Sequence, residues 1–261
     1  MKRRLEQYLK TSWLGKNIVY EEVMESTNTY AKMLGEENVM NDAVVIAKRQ
    51  TAGRGRRGRN WISPEGNCYI SLLLKPSIKT EHASRLTLVT AIALAETIKN
   101  VSGLETQIKW PNDVVIAGKK ICGILTESST DVNDLKYVVI GIGINANQSK
   151  FDQEIEVMAT SLSLQLGRDV DCEQLIAEFL YCFEVYYSKF LETEDLSMLL
   201  SEYNALLVNK DREVRIIDEI ERVGIALGVN AAGELLVRNP AGEVDNIISG
   251  EVSVRGLYGY I

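Results

Sequence analysis

The segment from Lys48 to Arg59, KRQTAGRGRRGR, constrains the fold more than any other part of this sequence. It follows Ala43 to Ala47 (AVVIA), a short apolar run that predicts a buried strand. Its twelve residues include six basic side chains and three glycines. Glycine lets the backbone come close to a ligand, and arginine offers planar donor pairs that match phosphate and carboxylate oxygens. The segment therefore predicts an anion-binding loop directly after a buried strand.

Gly53 to Gly58 also matches the pattern GxGxxG, which is typical of dinucleotide-binding folds. That fold further requires a helix to begin at the last glycine and an acidic residue about twenty positions later. Here the loop continues into RNWISPEGN, where Pro64 and Gly66 are poor helix formers. Glu81 lies near the required distance, but the missing helix outweighs it. The sequence thus excludes a Rossmann fold.

The pattern of apolar residues predicts a domain of mixed helices and strands over residues 1–208. A short helix is expected after a cap at Ser26–Asn28, and an amphipathic helix over 84–99. Short connections favour antiparallel pairing, with a hairpin turn at Gly118–Lys119. The predicted strands are 43–47, 68–74, 107–110, 113–116, 120–126 and 137–144, and helical spacing returns over 172–191 and 196–207.

The pattern changes after Asn209. Five short runs typical of strands lie within about fifty residues, separated by Gly, Asn, Pro and Asp. They predict a small β-barrel over residues 209–261, packed against the larger domain. The runs are 213–217, 223–229, 234–237, 246–248 and 251–254.

Composition excludes several classes of function. The formal net charge of −7 argues against a protein that coats nucleic acid, and no apolar run is long enough to span a membrane. The N-terminus lacks the apolar region of a secretory signal, and the four cysteines form no CxxC pair, so we expect a cytoplasmic protein. The single histidine, His82, excludes sites that need two histidines and is expected to be an exposed loop or helix-start residue.

Two further motifs are compatible with a site. Lys109-Trp110-Pro111-Asn112-Asp113 follows a predicted strand, so its lysine could be held rigidly against a reacting anion, although such a segment could also be an ordinary turn. Gly141-Ile142-Gly143-Ile144-Asn145 ends another strand, where glycines mark close approach of either a ligand or packed backbone. From these residues alone, a binder of single-stranded nucleic acid stays open as an alternative.

Taken together, these motifs resemble those of biotin protein ligases. The matching segments occur in the family's order and span most of the chain. They are ESTN (25–28), QTAGRGRRGR (50–59) with Trp61, KWPND (109–113), KICGIL (120–125), GIGIN (141–145) and GEVS (250–253). The resemblance implies an α+β fold with a mixed, largely antiparallel sheet, similar to class II aminoacyl-tRNA synthetases, and a small C-terminal SH3-like barrel.

The resemblance also implies a reaction in two steps. The biotin carboxylate attacks the α-phosphate of ATP, supplied with Mg²⁺, and forms biotinyl-5′-AMP and pyrophosphate. A lysine of a biotin carboxyl carrier protein then attacks the acyl group and releases AMP. Positioned cations would offset the repulsion between the two anions, and no histidine base is required.

Site residues follow from the same resemblance. Lys109, Arg54 and Arg56 are the expected catalytic residues, with Arg54 to Arg56 in a loop that closes over the adenylate. The implied biotin-binding set is Ser26, Thr27, Asn28, Gln50, Gly53, Arg54, Gly55, Arg56, Lys109 and Gly123. The implied ATP-binding set is Arg56, Arg57, Arg59, Trp61, Asn112 and Asn145, with Asp113 as a ligand of magnesium through water.

One departure from part of the family bears on DNA. Members that also act as repressors have a helix-turn-helix domain before the ESTN segment, and here only 24 residues precede Glu25. The sequence therefore predicts a ligase without sequence-specific DNA binding and without membrane attachment, and a homodimer is possible through an exposed sheet edge. A lipoate-type ligase is the alternative enzyme, which the intact arginine loop and KWPND disfavour.

Overall fold

The computed structural model describes residues 1–40, 42–132, 134–217, 221–249, 253–256 and 260–261. Within these ranges the strands are β1 Asn17–Met24, β2 Ala43–Gln50, β3 Cys68–Leu74, β4 Gln107–Lys109, β5 Asp113–Ile116, β6 Lys119–Asp131, β7 Asp134–Ile144, β8 Glu213–Ile217, β9 Arg222–Val229, β10 Leu235–Arg238, β11 Val244–Ile247 and β12 Ser253–Gly256. The helices are α1 Lys2–Tyr8, α2 Thr27–Glu37, α3 Leu86–Ser102, α4 Gln153–Glu156, α5 Leu162–Leu166, α6 Cys172–Thr193 and α7 Leu200–Leu206.

The described strands form two sheets. The larger has the order β1-β2-β3-β7-β6-β5-β4, in which β1 and β2 are parallel and the other neighbours antiparallel. The smaller is antiparallel with the order β11-β10-β9-β8-β12. The predicted α+β fold with a mixed, largely antiparallel sheet is confirmed, and the C-terminal region predicted as a small SH3-like barrel forms a five-stranded antiparallel sheet among the described residues.

The large sheet is the middle of three layers. Val44 and Ile46 of β2 face the main core beneath α3 and α6, whereas Val45 faces a second core closed by Ala31 and Leu34 of α2. Because both faces of β2 are covered, its sequence is continuously apolar instead of alternating. This packing fixes the start of α2 and the end of β2 beside each other at one edge of the sheet.

Some helix, turn and strand boundaries differ from the predicted ones. The helix predicted over 84–99 begins at Leu86 and ends at Ser102, where Gly103 takes a left-handed conformation (φ 73°) that suits glycine. The hairpin turn lies one residue earlier than predicted, at Ala117 and Gly118, which both have positive φ. Neither β1 nor α1 was predicted from the sequence. The strand β1 lies at the edge of the sheet and has four exposed positions among its eight residues, so it has no continuous apolar run.

Other expectations had mixed outcomes. His82 lies in a 3₁₀ turn before α3, half-buried instead of exposed, with Nδ1 2.9 Å from Glu194 Oε2 at the end of α6.

All four cysteines are free thiols. Among the residues that the structure describes, no helix has the length and apolarity to cross a bilayer. Residues 250–252 of the predicted GEVS segment and last strand lie outside the described residues, and the domain boundary at 208/209 stays a prediction.

Candidate functional site

Two adjoining cavities open above the large sheet, between the arginine loop and the β4–β5 turn. The larger is a cleft of about 1120 Å³ that extends toward the small sheet. The smaller measures about 50 Å³ and lies over β6 and β7 beside the start of α2. Both cavities share the residues Gly55, Arg56, Trp61, Asn112 and Lys120. The shared wall is therefore where a ligand of one cavity would meet a ligand of the other.

The predicted biotin residues at the start of α2 surround the small cavity. Ser26 caps the helix by accepting a hydrogen bond from the amide of Thr29. Gln50 at the end of β2 accepts from the Thr27 amide at 2.8 Å and hydroxyl at 3.1 Å, and its amide donates to Ser63 Oγ at 2.9 Å. These contacts fix the Gln50 side chain, so the end of β2 presents a preorganised polar group to the cavity.

Asn28 is buried and bonded at both ends of its amide. Its Oδ1 lies 2.6 Å from Ser71 Oγ, and its Nδ2 donates to Glu127 Oε2 at 3.0 Å. Gly141 of β7 makes room for this side chain, because a Cβ there would collide with the Asn28 amide. The predicted GIGIN glycine thus serves close packing of the site residue Asn28 on α2, and not contact with the long helix.

Glu127 was missed by the sequence analysis. It lies on β6 just past the predicted strand end and contacts Asn28, Lys32 Nζ at 3.1 Å and Arg54 Nη2 at 3.5 Å. Burial would raise the pKa of this carboxyl, but the Asn28 hydrogen bond and the Lys32 ammonium lower it below its ordinary value, so it stays ionised. A charged residue that continues an apolar strand was the signal in the sequence.

The arginine loop is a compact hairpin. The amide of Gly55 donates to the carbonyl of Arg59 at 2.7 Å, and Arg57 takes a left-handed conformation with φ 56° inside a 3₁₀ turn. Gly53 is buried against the Trp61 carbonyl and Ser63, where a Cβ would not fit. Arg54, Arg57 and Arg59 are exposed, while Arg56 is half-buried. Arg54 lines the small cavity, Arg57 and Arg59 line the large cleft, and Arg56 lines both.

The KWPND segment connects β4 to β5 through a cis Trp110–Pro111 bond. Asn112 Oδ1 accepts a hydrogen bond from Arg56 Nη1 at 2.9 Å, and Asn112 Nδ2 donates to the Ile124 carbonyl at 3.0 Å. Trp110 Nε1 donates to the Gly233 carbonyl at 3.1 Å, so the indole joins this turn to the small sheet. The turn is therefore held from three sides, by the arginine loop, by β6 and by the small sheet.

Charged groups converge at the base of the large cleft. Lys120 Nζ lies 2.6 Å from Asp113 Oδ1, and Lys109 is buried beside the same carboxylate. Burial lowers the pKa of Lys109 to about 8, against the opposing influence of Asp113. Burial alone would raise the pKa of Asp113, but Lys120 and Lys109 lower it below its ordinary value. One carboxylate thus partly neutralises two ammonium groups, and the excess positive charge suits an anionic ligand.

Lys120 had no role assigned from the sequence, although it begins the KICGIL segment quoted there. Its ammonium also lies 5.0 Å from the centroid of the Trp61 ring. A lysine at the start of an apolar run was the available signal. Its pairing with Asp113 could not be foreseen, because the register between β5 and β6 shifts at Val114/Val115.

Trp61 covers the small cavity. Its indole packs directly on β6 and β7, where a Cβ on Gly143 would come within 2.5 Å of Nε1 and one on Gly123 within 2.7 Å of the ring. The Nε1 group is buried and has no hydrogen-bond acceptor among the described residues. The two glycines therefore provide the floor on which this ring rests.

Asn145 and Asp113 differ most from their predicted roles. Asn145 lines the large cleft, but it is buried and its Nδ2 donates to the Thr160 carbonyl at 3.0 Å, a contact that ties β7 to the following loop. The described residues contain no cluster of three or more side chains suited to hold a metal ion. Asp113 alone, already paired with Lys120, would leave Mg²⁺ to be held mainly by the phosphates of its nucleotide.

Comparison with known proteins identifies the class. Residues 20–145 match the model of the biotin/lipoate A/B protein ligase family. The bifunctional ligase/repressor BirA of Bacillus subtilis is 38% identical over 250 residues, which cover 94% of this chain and 76% of BirA. The biotin–[acetyl-CoA-carboxylase] ligase of Paracoccus denitrificans is 34% identical over 230 residues, covering 84% and 92% of the two chains.

A solved structure agrees with these relatives. The biotin protein ligase from Aquifex aeolicus, in complex with biotin and ATP, has a TM-score of 0.82 and 31% identity, covering 92% of this chain and 99% of the other. The chain described here therefore belongs to the biotin protein ligase family, and its fold and activity are those of a biotin ligase.

Proposed function

We propose that this ligase activates biotin in the small cavity with ATP in the large cleft, and then transfers the biotinyl group to a lysine of a carrier protein. The observation that supports this best is the wall shared by the two cavities. There Arg56, Asn112 and Lys120 stand between the predicted biotin residues and the predicted ATP residues. A biotin carboxylate emerging from the small cavity would meet the α-phosphate at this wall.

In the first step a carboxylate oxygen attacks the α-phosphorus, the bond to the bridging oxygen breaks, and pyrophosphate leaves. Lys109 and Lys120 would offset the negative charge that accumulates at phosphorus, and Arg56 would do so from the loop. Lys120 is held by its ion pair with Asp113 and Lys109 is buried over the Tyr260 ring, so neither needs a large rearrangement as charge develops. Holding the two reactants together should supply much of the remaining rate enhancement.

In the second step the neutral amine of the carrier lysine attacks the biotinyl carbonyl, and AMP leaves with the electrons of the acyl–phosphate bond. The arginine loop would close over the acyl-adenylate and exclude water until the carrier arrives. Arg54, Gly53 and Gly55 belong to that loop, and Glu127 would anchor it through its ion pair with Arg54. Ser26, Thr27, Asn28 and Gln50 would bind the polar ring of biotin, over the floor at Gly123.

For ATP, we propose contacts from the outward guanidiniums of Arg57 and Arg59 to the phosphates, and from Trp61 and Asn112 to the rest of the nucleotide. All four line the large cleft. ATP would arrive as its magnesium complex, with Asp113 able to bind the ion only through water because Lys120 already occupies its carboxylate. Asn145 would support this wall through Thr160 more than it would touch the nucleotide.

The partner that this activity implies is a biotin carboxyl carrier protein. A homodimer is a second proposal, since β1 is an edge of the large sheet that can accept another strand, whereas β4 at the other edge is paired at Ile108 with Leu207 and Val208. The absence of sequence-specific DNA binding and the cytoplasmic location stay predictions. A gel-shift that showed tight, specific binding to a biotin-operon operator would overturn the first of them.

Pyrophosphate exchange tests the proposed function directly. The enzyme with labelled pyrophosphate and MgATP should form labelled ATP when biotin is present, and lipoate should not replace biotin. Mass spectrometry of a carrier domain incubated with the enzyme, biotin and MgATP should show one added biotinyl group. Exchange that depends on lipoate instead would assign the chain to the lipoate branch, and AMP formation without carrier modification would refute the transfer step.

A further inference from the structure

Tyr260 reaches the charged cluster at the base of the large cleft. Its hydroxyl donates a hydrogen bond to Asp113 Oδ2 at 2.5 Å, and Lys109 Nζ lies 4.0 Å from the centroid of its ring. Burial raises the pKa of the phenol well above its ordinary value, and the Asp113 charge raises it further. Tyr260 therefore stays neutral and remains a hydrogen-bond donor to the carboxylate.

The two oxygens of Asp113 are thereby divided between two partners. Oδ1 pairs with Lys120 on β6, and Oδ2 accepts from Tyr260. A carboxylate with a hydrogen bond at one oxygen and an ion pair at the other is restricted in its rotation, and this restricts the position of the Lys120 ammonium paired with it. The orientation of Lys120 thus depends on a residue that follows the small sheet.

Lys109 has the greater need for this support. Its ammonium is buried, and the charged groups near it are Asp113 and Lys120 from β5 and β6, Arg255 from β12 and Arg59 from the arginine loop. Three of these four are cations that oppose its charge. Besides Asp113, the face of the Tyr260 ring is the one attractive contact to this ammonium among the described residues, since an aromatic face attracts a cation.

The segment that contains Tyr260 is docked between two elements. A Cβ on Gly118, in the β5–β6 turn, would lie 2.9 Å from Ile261 Cδ1, and one on Gly256 of β12 would collide with the Ile261 backbone. Ile261 is therefore packed between the large and the small sheet. This packing sets the position of the neighbouring tyrosine.

We propose that Tyr260 is a positioning residue for adenylation, which fixes Asp113 through its hydroxyl and holds the Lys109 ammonium over its ring, directed at the reacting phosphate. It is not a plug of the nucleotide site, because the cleft still measures about 1120 Å³ with Tyr260 in place, and small-molecule sites typically occupy ~300–1,000 Å³. The inference rests on the proposed function for its effect on adenylation. The placement of the Lys109 ammonium over the Tyr260 ring does not depend on that function. It also gives the small sheet a chemical role.

Two substitutions separate the contributions of Tyr260. Tyr260→Phe keeps the ring beneath Lys109 and removes the hydroxyl, whereas Tyr260→Leu removes both. We expect the kcat of biotin-dependent pyrophosphate exchange to fall about tenfold in Tyr260→Phe, the effect of one hydrogen bond to a charged group. It should fall about a further tenfold in Tyr260→Leu through loss of the cation–π contact. The KM for biotin should change by less than about threefold, since Tyr260 is not expected to contribute to the binding of biotin in the ground state.

Tyr8→Phe is the matched control. Tyr8 also donates to an aspartate carboxylate, Asp171 Oδ2 at 3.3 Å, but it is exposed and belongs to α1. This variant should keep the wild-type kcat and the wild-type NMR resonances of the Lys109 side chain. Circular dichroism melting curves of all the variants identify any that fail to fold.

A readout without catalysis completes the test. In NMR spectra of ¹³C-labelled lysine, the side-chain resonances of Lys109 should carry the ring-current shift of Tyr260 in the wild type and in Tyr260→Phe, and lose it in Tyr260→Leu. Unchanged kcat in both folded variants and an unchanged Lys109 resonance in Tyr260→Leu would overturn the proposal, and a loss confined to the KM for ATP would do so as well, because Tyr260 would then be only a wall of the nucleotide site. Absence of biotin-dependent exchange in the wild type would refute the proposed function instead, while the Lys109 resonance would still decide the position of this lysine.

Discussion

Arg56 Nη1 donates a 2.9 Å hydrogen bond to Asn112 Oδ1, which joins the arginine loop to the KWPND turn across more than fifty residues of sequence. The two motifs that were most informative in the sequence are thus one structural unit. Asn112 is itself held by the Ile124 carbonyl of β6, so the loop is attached to the sheet through this amide. The closed loop depends on this contact.

Asn112→Ala should therefore loosen the loop. We expect biotinyl-AMP to dissociate about 10–100-fold faster, because one charge-assisted hydrogen bond is lost. The dissociation rate is measured by chasing labelled biotinyl-AMP with unlabelled ligand. Arg56→Gly should give a similar increase, and the double variant should be little worse than either single one.

Arg49→Ala serves as the control for charge, since Arg49 is an exposed residue of β2 outside the loop. Its dissociation rate should equal that of the wild type. Unchanged retention of biotinyl-AMP in Asn112→Ala would show that the loop does not act as a lid.

Removing a lysine of the charged cluster should abolish most adenylation. Lys109→Ala and Lys120→Ala are each expected to lower exchange by about 10²–10³, the usual cost of one group that stabilises transition-state charge. The transfer step, measured with pre-formed biotinyl-AMP and a carrier domain, should fall less. Near-normal exchange in a folded Lys109→Ala variant would refute its assigned role.

The pKa of Lys109 predicts a limit at alkaline pH. Burial lowers this pKa to about 8, so the ammonium loses its proton as pH rises through that value in the free enzyme. The kcat/KM for ATP, which reports the free enzyme, should fall above about pH 8. The stability change has the opposite sign. Below about pH 8 folding buries a charged lysine, and the free energy of unfolding should rise between about pH 8 and the ordinary lysine pKa.

A Lys109→Arg variant tests the origin of this limit, because arginine does not titrate in this range. Its residual activity should be independent of pH across the limit seen in the wild type. An alkaline fall that persists unchanged in Lys109→Arg would assign the limit to another group.

Trp61 should report the entry of biotin. Its indole rests on Gly123 and Gly143, and the cavity beneath the loop measures only about 50 Å³, too small for the bicyclic ring of biotin. The indole therefore has to move when biotin binds, and the tryptophan emission should change. Trp110 and Trp13 do not line the small cavity, and Trp110 is buried and held by its hydrogen bond to Gly233, so Trp61→Phe should remove the signal. An undiminished signal in Trp61→Phe would contradict this movement.

Glu127 should couple biotin binding to the loop. Glu127→Gln removes the negative charge opposite Arg54 and Lys32, and Asn28 loses a charged acceptor. We expect the KM for biotin to rise about tenfold, as for loss of one charged hydrogen bond, with the KM for ATP nearly constant. Lys32→Ala is the control for the adjacent ion pair, which is partly exposed and should matter little. Equal KM values for biotin in wild type and Glu127→Gln would exclude the coupling.

Much of the fold was predictable because the signals are local. Burial of both strand faces gives the continuous apolar runs of β2 and β3, and burial of one helix side gives the helical spacing of α3 and α6. Such patterns can be recognised directly in a sequence. The edge strand β1 escaped notice because half of its positions are exposed. Its parallel pairing with β2 depends on where α2 packs, which no local pattern encodes.

The sequence by itself determined the motifs and their order. It also indicated an anionic ligand, because so many cations lie within one loop. Only the tertiary structure decided which cations act together. Arg56 turns inward to Asn112 while its neighbours face solvent, and Lys120 and Tyr260 join Lys109 around Asp113. The physical reason is that charge interactions and hydrogen bonds depend on distances of a few ångströms between residues far apart in sequence. Those distances are set by the packing of the two sheets and not by any local pattern.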